Sequence, residues 1–441
     1  MSRLRGFLPL LLALVLLGAL PGLAWAHEPT QTGPAPFGIR LEFFLFALTL
    51  LGVALFHHYT LYTALGGLTL VLGLKLVFVE GFHLGPWILH EWLTVLNLLG
   101  LLVGFSILAK YFEESRLPQK LPAVLPDDWK GALVLLWLVF VLSSFLDNIA
   151  AAMIGGEMAR VLFKNRVHVG YLAAIVAASN AGGAGSVVGD TTTTMIWLAG
   201  GSPLYVLEAY VGAAVALGVC GTLAAWQQQR FQPIVKEAPA GLTIDWAQIG
   251  VVVLVLAGAI VANFACGIPA AGVVGAIALG SLVRRPDLKV VPGALKGAAF
   301  LLSLVLCASL MPVDTLPPPS WHTTLGLGFI SAVFDNIPLT ALAIRQDNYD
   351  WGFVAYAVGF GGSMIWFGSS AGVALSTLHP QARSTGRYLR HGWHVIPGYV
   401  LGFAAMMLVL GYEKHPIKGG ASAPAAAVGS AQAAGPASST H

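Results

Sequence analysis

The stretch SSFLDNIAAAM, Ser143 to Met153, sets an aspartate and an asparagine inside one of the most apolar parts of the chain. It recurs as SAVFDNIPLTA, Ser331 to Ala341. Ser143 pairs with Ser331, Asp147 with Asp335, Asn148 with Asn336 and Ile149 with Ile337. A second pair of motifs follows in the same order. SNAGGAGSVVGDTTTTM, Ser179 to Met195, is matched by GFGGSMIWFGSSAGVA, Gly359 to Ala374. Aligning Gly182 and Gly183 with Gly361 and Gly362 puts Gly189 on Gly368 and Asp190 on Ser369. Two motifs repeated in one order at nearly one spacing indicate an internal duplication.

The composition says what surrounds them. Of 441 residues, 57% are hydrophobic and 10% are charged, whereas a soluble domain carries about 25% charged residues. Apolar runs recur from end to end, at the roughly 20-residue length that crosses ~30 Å of hydrocarbon. The expected fold is an all-α polytopic membrane protein, with the lipid bilayer as its surroundings. A net charge of +3 is no sign of a nucleic-acid partner, because basic residues in such a chain mostly report orientation. Cys220, Cys266 and Cys307 lie far apart without zinc or redox spacing and read as small buried hydrophobes.

Spans are expected near 41–57, 59–79 and 88–110. The next apolar segment, 131–163, would be about 33 residues of helix, which at 1.5 Å per residue overshoots the bilayer. Asp147 and Asn148 also interrupt it, so a re-entrant hairpin is the economical solution, tolerated where protein or a watery cavity surrounds it. A glycine-interrupted span at 168–200 and one at 203–226 complete a first repeat over 41–226. A linker at 227–245 leads to a second repeat over 246–411. Its spans fall near 246–263, 268–284 and 292–311, followed by a hairpin at 322–344, a glycine-broken span at 351–378 and a last span at 392–411.

The basic residues agree with this layout. Lys110, Arg116, Lys120, Lys130, Arg160, Lys164, Arg166, Arg230, Lys236, Arg284, Arg285, Lys289, Arg383, Arg387 and Arg390 all fall in expected inner loops, with Arg345 the main exception. About five crossings and one hairpin per half make the crossing number odd, so the halves become inverted repeats. Arg3, Arg5, an apolar run and Ala24 to Ala26 read as a secretory signal at 1–26. That places the mature N-terminus on the outer side of a bacterial inner membrane. The C-terminal tail, 412–441, is also placed outside and reads as disordered from its Ala, Gly, Ser and Pro content.

A hairpin tip and a glycine-broken helix both leave backbone groups without helical partners. Helix N-termini favour anions and unwound carbonyls favour cations. Gly182, Gly183, Gly189, Gly361, Gly362 and Gly368 are the expected backbone breaks. Asp147, Asn148, Asp190 and Thr191 from one half, with Asp335, Asn336, Ser369 and Ser370 from the other, supply oxygens suited to a small hard cation such as Na⁺ or Li⁺. Against this stands helix capping by the same side chains, but acids at bilayer depth are costly and mark ion or proton pathways. Thr192 to Thr194 divide between ligation and back-bonding. Ser143 and Ser331 read as packing residues. His90 and Glu91 form a lesser candidate for a proton relay, without zinc-protease spacing.

The motifs FLDN, NAGGAGSVVGDTTTTMIW, FDNIPLTA and GGSMIWFGSSAGVA resemble the NhaD-type sodium/proton antiporter family, over about 41 to 411. That family sits in the ion transporter superfamily with arsenite, citrate and dicarboxylate carriers. The resemblance implies paired hairpins and a mobile transport domain moving against a scaffold that includes spans 1–3 and 7–9. It also implies a dimer, no cofactor, and exchange of Na⁺ (or Li⁺) for H⁺ as small-ion cargo. The chain departs from the family pattern at Ala150 to Ala152, where hydroxyls are usual, and at Gly185 to Val187, where Trp-Ser-Pro is usual. An anion carrier for a carboxylate or arsenite, coupled to Na⁺ or H⁺, is the alternative, although an aspartate would repel such cargo. A membrane-embedded enzyme or sensor using His90 and Glu91 is the third reading.

Overall fold

The computed structural model describes residue 35 and residues 40–417, apart from 57–58, 80–81, 121–124, 236–242, 267 and 314–315. The expected signal segment and residues 418–441 lie outside the described residues. The protein is an all-α polytopic membrane protein, as the apolar runs lead one to expect. Its first eight principal helices are α1 (Leu41–Leu55), α2 (Thr60–Phe78), α3 (Leu84–Glu114), α4 (Trp129–Ser143), α5 (Asn148–Leu162), α6 (Val169–Ala184), α7 (Thr191–Leu198) and α8 (Ala209–Phe231). The next eight are α9 (Trp246–Cys266), α10 (Pro269–Gly280), α11 (Val291–Ser309), α12 (Trp321–Ser331), α13 (Asn336–Gln346), α14 (Trp351–Gly361), α15 (Ser370–Leu378) and α16 (Val395–Val409).

The second series follows the order of the first. In each, the fourth and fifth helices are separated by a four-residue link, 144–147 or 332–335. In each, the sixth and seventh are separated by an irregular segment, 185–190 or 362–369. Among the described residues four helices are long and apolar enough to cross a bilayer: Thr60–Phe78, Leu84–Glu114, Pro203–Phe231 and Leu288–Ser309. Thr385–His391 with Val395–Val409 forms a further pair, bent by 56°. The 15 residues of α4 and the 15 of α5 span about 22 Å each, so neither arm bridges ~30 Å of hydrocarbon alone.

Two hydrophobic cores organise the helices. The smaller is built from α1, α2 and α11, and α11 also packs on α3, which in turn packs on α10. The larger holds α4 to α6, α8, α14 and α16. Its centre is α6 against α14. Gly170 to Ala184 of α6 and every residue of α14 are buried, as befits helices apolar on all sides. Small residues let these helices approach closely. A Cβ on Gly182 would collide with the carbonyl oxygen of Phe140, and one on Gly361 with that of Gly328. Those carbonyls occupy matching places in α4 and α12.

Four expectations need correction. Gly182, Gly183 and Gly361 are helical, and the chain leaves the helix only after Ala184 and Gly361. These glycines serve close approach; the breaks lie just beyond them. Helix α8 continues to Phe231 and buries Gln228, so the start of the expected linker is a helix end. Cys220 and Cys307 are buried, but Cys266 is exposed.

The fourth concerns the tail, because residues 412–417 are laced onto the bundle rather than disordered. Tyr412 Oη and Thr324 Oγ1 lie 2.9 Å apart, and Glu413 N donates to Asp350 Oδ2 at 2.9 Å. Trp351 Nε1 donates to the His415 carbonyl at 2.6 Å, and Ile417 N to Asp347 Oδ1 at 3.0 Å. The His415 ring stacks on Tyr205 at 4.0 Å. Composition could not foretell this, since much of the lacing uses backbone groups.

Candidate functional site

The two links and the two irregular segments converge. Ser143 Oγ donates to the Ser179 carbonyl at 2.5 Å, and Ser331 Oγ to the Val358 carbonyl at 2.7 Å. The same tie is thus made twice, from the end of the first arm to the central helix. Ser143 and Ser331 are therefore hydrogen-bonded positioning residues as well as packing residues.

Asp190 is the N-cap of α7 and is 3% exposed. Its Oδ1 accepts from Thr192 N at 3.3 Å, and its Oδ2 accepts from Thr192 Oγ1 at 2.9 Å. Asn336 Nδ2 donates to the same Oδ2 at 3.3 Å. An asparagine from the second half thereby meets a carboxylate from the first. Ser369 holds the equivalent cap on α15, where Gly372 N donates to its Oγ at 3.3 Å. The reciprocal tip residue, Asn148, reaches Ser369 through one more amide. Asn148 Nδ2 donates to Asn180 Oδ1 at 3.2 Å, and Asn180 Nδ2 donates to Ser363 Oγ at 2.9 Å and Ser369 Oγ at 3.0 Å.

Asn180 and Ser363 were not among the expected site residues. The available signal was an asparagine on a helix whose other residues, apart from Tyr171 and Ser179, are alanine, glycine and aliphatics. Such a group must find partners when buried.

The aspartates at the two links differ. Asp335 Oδ1 accepts from Ile337 N at 3.1 Å and its Oδ2 from Ser370 Oγ at 3.1 Å. Asp147 lies against the N–H groups of Asn148 and Ile149 at the start of α5 and makes no bond to a side chain there. It lines a cavity of about 420 Å³ together with Asn148, Asp190, Thr191, Asn336 and Ser370. The opposite wall comes from α3 and from the first half of α11, including Leu101, Phe105 and Gly297. Asp335 lines a different and smaller cavity, and Ser370 borders both.

The threonine run divides in the same way. Thr193 Oγ1 donates to the Ser186 carbonyl at 2.5 Å and Thr194 Oγ1 to the Val187 carbonyl at 2.8 Å. Both hydroxyls also reach the Asp190 carbonyl, at 2.8 and 2.9 Å. They pin the irregular segment onto α7. Thr191 lines the main cavity. Gly189 and Gly368 lie where the irregular segments pass the ends of α4 and α12. A Cβ on Gly189 would meet the Ser143 carbonyl, and one on Gly368 would meet that of Ala332.

His90 and Glu91 are not brought to the aspartates. They border a separate cavity with Lys75, His83, Trp87 and Arg345. A buried charge group near it joins α1 to α2. Glu42, fully buried, accepts through Oε1 from Arg40 Nη2 at 2.7 Å and from Lys75 Nζ at 3.1 Å. Burial of such an acid is offset only by pairing of this kind.

A cavity with two carboxylates at its wall suits a cation and disfavours an anionic cargo. No family profile matches the chain. Two proteins of Arabidopsis thaliana are similar to it. One, named Sodium/proton antiporter 1, is 29% identical over 328 residues, covering 62% of this chain. The other, named Sodium/proton antiporter 2, is 27% identical over 298 residues, covering 56% of this chain. The similarity spans 55% of the first protein's length and 70% of the second's. The chain is thus similar over more than half its length to two proteins named for the exchange of sodium and protons.

Proposed function

We propose that the protein is a secondary antiporter exchanging Na⁺, or Li⁺, for H⁺ across a bacterial inner membrane. The observation that carries the reading is the cavity shared by Asp147 and Asp190, with Asn148, Thr191, Asn336 and Ser370 around it. Asp147, the link carboxylate that lines this larger cavity, is the principal ligand. A bound cation favours its ionised form and a dry site favours its protonated form, so one carboxylate serves both cargoes in turn. Asp190 is the second carboxylate, held in place by Thr192 and Asn336. Asp335 takes part from the far side of Ser370. No cofactor is needed for such exchange.

The basic residues put the N-terminus of α11 and the C-terminus of α3 on the inner side. The two helix series then act as inverted repeats, with α4–α5 and α12–α13 as re-entrant hairpins entering from opposite faces. In this reading α1 to α3 with α9 to α11 form the scaffold, and alternating access comes from movement of the remaining helices against it. The similarity to named sodium/proton antiporters supports the exchange itself.

The test is dissipation of a pH gradient in everted vesicles on addition of Na⁺, Li⁺ or K⁺. Na⁺ or Li⁺ should collapse the gradient and K⁺ should not. Asp147→Asn should abolish the response at normal protein levels. A response retained in that variant would remove Asp147 from the site, and no response to any alkali cation would remove the function.

A further inference from the structure

The cavity at Asp335 is about half the size of the one at Asp147 and, like it, mostly apolar. It measures about 220 Å³ and is walled by Leu50, Val53, Phe300 and Phe367, with Val373 beside them. Its polar side chains are Asp335, Ser370 and Thr60. Three such groups amid apolar walls do not surround an alkali ion with the six or so oxygens that hard cations take. They do suit a cation that brings its own apolar body. A carboxylate in low-dielectric surroundings gains most from a directly bound counter-charge. Phenylalanine rings near such a head group add to this attraction. At ~30 Å³ per water-sized group the cavity holds about seven heavy atoms.

We propose that this cavity binds a small organic cation, a primary alkylammonium of about butyl to hexyl length, with its head group on Asp335 and its chain between α1 and α11. Ser370 Oγ, which donates to Asp335 Oδ2 and also borders the Asp147 cavity, couples the two spaces. An ammonium group bound to the Asp335 carboxylate therefore inhibits exchange without filling the Asp147 cavity, whereas an uncharged filler does not. The inhibition rests on the proposed antiport, but the binding does not.

Binding is read on the full-length protein in detergent as a shift in Tm with n-hexylammonium, with n-hexanol as the uncharged match. Hexylammonium should raise Tm by a few degrees and hexanol should not. Asp335→Asn should lose the shift. Val53→Phe, which fills the cavity from α1, should lose it while keeping Na⁺-driven exchange. Val53→Ala should move the best ligand to a longer chain, a gain that misfolding cannot imitate. An equal shift with hexanol would make the cavity a seat for lipid chains and overturn the proposal. So would a shift that survives Asp335→Asn or Val53→Phe. A shift retained by a protein that exchanges no alkali cation would overturn the antiport alone.

Discussion

The two hairpins share a four-residue link, a terminal Asp-Asn and the same serine tie to a central helix, yet they sit differently. Helix α5 gives Ala151, Met158, Ala159 and Leu162 to the larger core. Helix α13 is shared, giving Ile337 and Ala341 to the smaller core and Leu339 and Ala343 to the larger. On the second side, then, the hairpin arm bridges the two cores. On the first side the space between α5 and α3 is the cavity that holds Asp147. The side chains follow suit, since Asp335 caps its helix and accepts from Ser370, whereas Asp147 lies against the first N–H groups of α5 and faces the larger cavity. One duplicated motif therefore lines the larger cavity in one half and the smaller cavity in the other. A similar contrast holds between α1–α2 and α9–α10. The first pair is joined by the buried Glu42–Lys75 pair and the second by Asp245–Arg284, whose side chains are 31% and 45% exposed.

The largest expected effect separates the aspartates by transport. Losing a charged ligand costs about 3 kcal/mol, a factor of about 100. Initial rates of Na⁺-driven proton release should fall by about that factor in Asp147→Asn, with Tm unchanged. Equal losses of Tm in Asp147→Asn and Asp335→Asn would erase the distinction between the two aspartates.

Glu42→Gln leaves Lys75 buried beside a neutral amide and should destabilise the protein by about 3 kcal/mol. Unfolding in mixed micelles reads this. A smaller change than in Arg284→Gln would invert the comparison of the two helix pairs.

A capping carboxylate contributes about 1 kcal/mol. Asp335→Ala should therefore be about 1 kcal/mol less stable than Asp147→Ala, measured in the same unfolding assay.

The smallest effect concerns the exposed pair. The hydrogen bond from Arg284 holds Asp245 below its ordinary value of 3.8. A carboxylate depressed on folding contributes stability above its unfolded pKa and loses it as pH falls through its folded pKa. Acidification below about pH 4 should thus cost the parent slightly more than it costs Arg284→Gln. High salt should shrink the difference, because exposed pairs are screened.

Much of this architecture is legible from residue order. Apolar run lengths give the helices, and the two Asp-Asn tips and two glycine-serine segments locate the convergence point. What stays hidden is how the halves lean on each other. Nothing local to Asn336 marks Asp190 as its acceptor, and nothing local to Asn148 marks Asn180 as the relay to Ser369. Lys75 reads as an oddity in an apolar helix until Glu42 is seen opposite. The unequal packing of α5 and α13 is hidden as well. Similar segments can rest on different neighbours, because helix periodicity records how much of a face is buried but not against what.

The lacing at 412–417 bears on the order of assembly. The Asp350 side chain accepts from Phe353 N at the start of α14 and also from Glu413 N. The Trp351 indole waits on the His415 carbonyl. These partners leave the ribosome some 60 residues after the helix they secure. Domains generally fold as units during synthesis, earlier segments first. The entrance to α14 is finished only when the chain comes back across it.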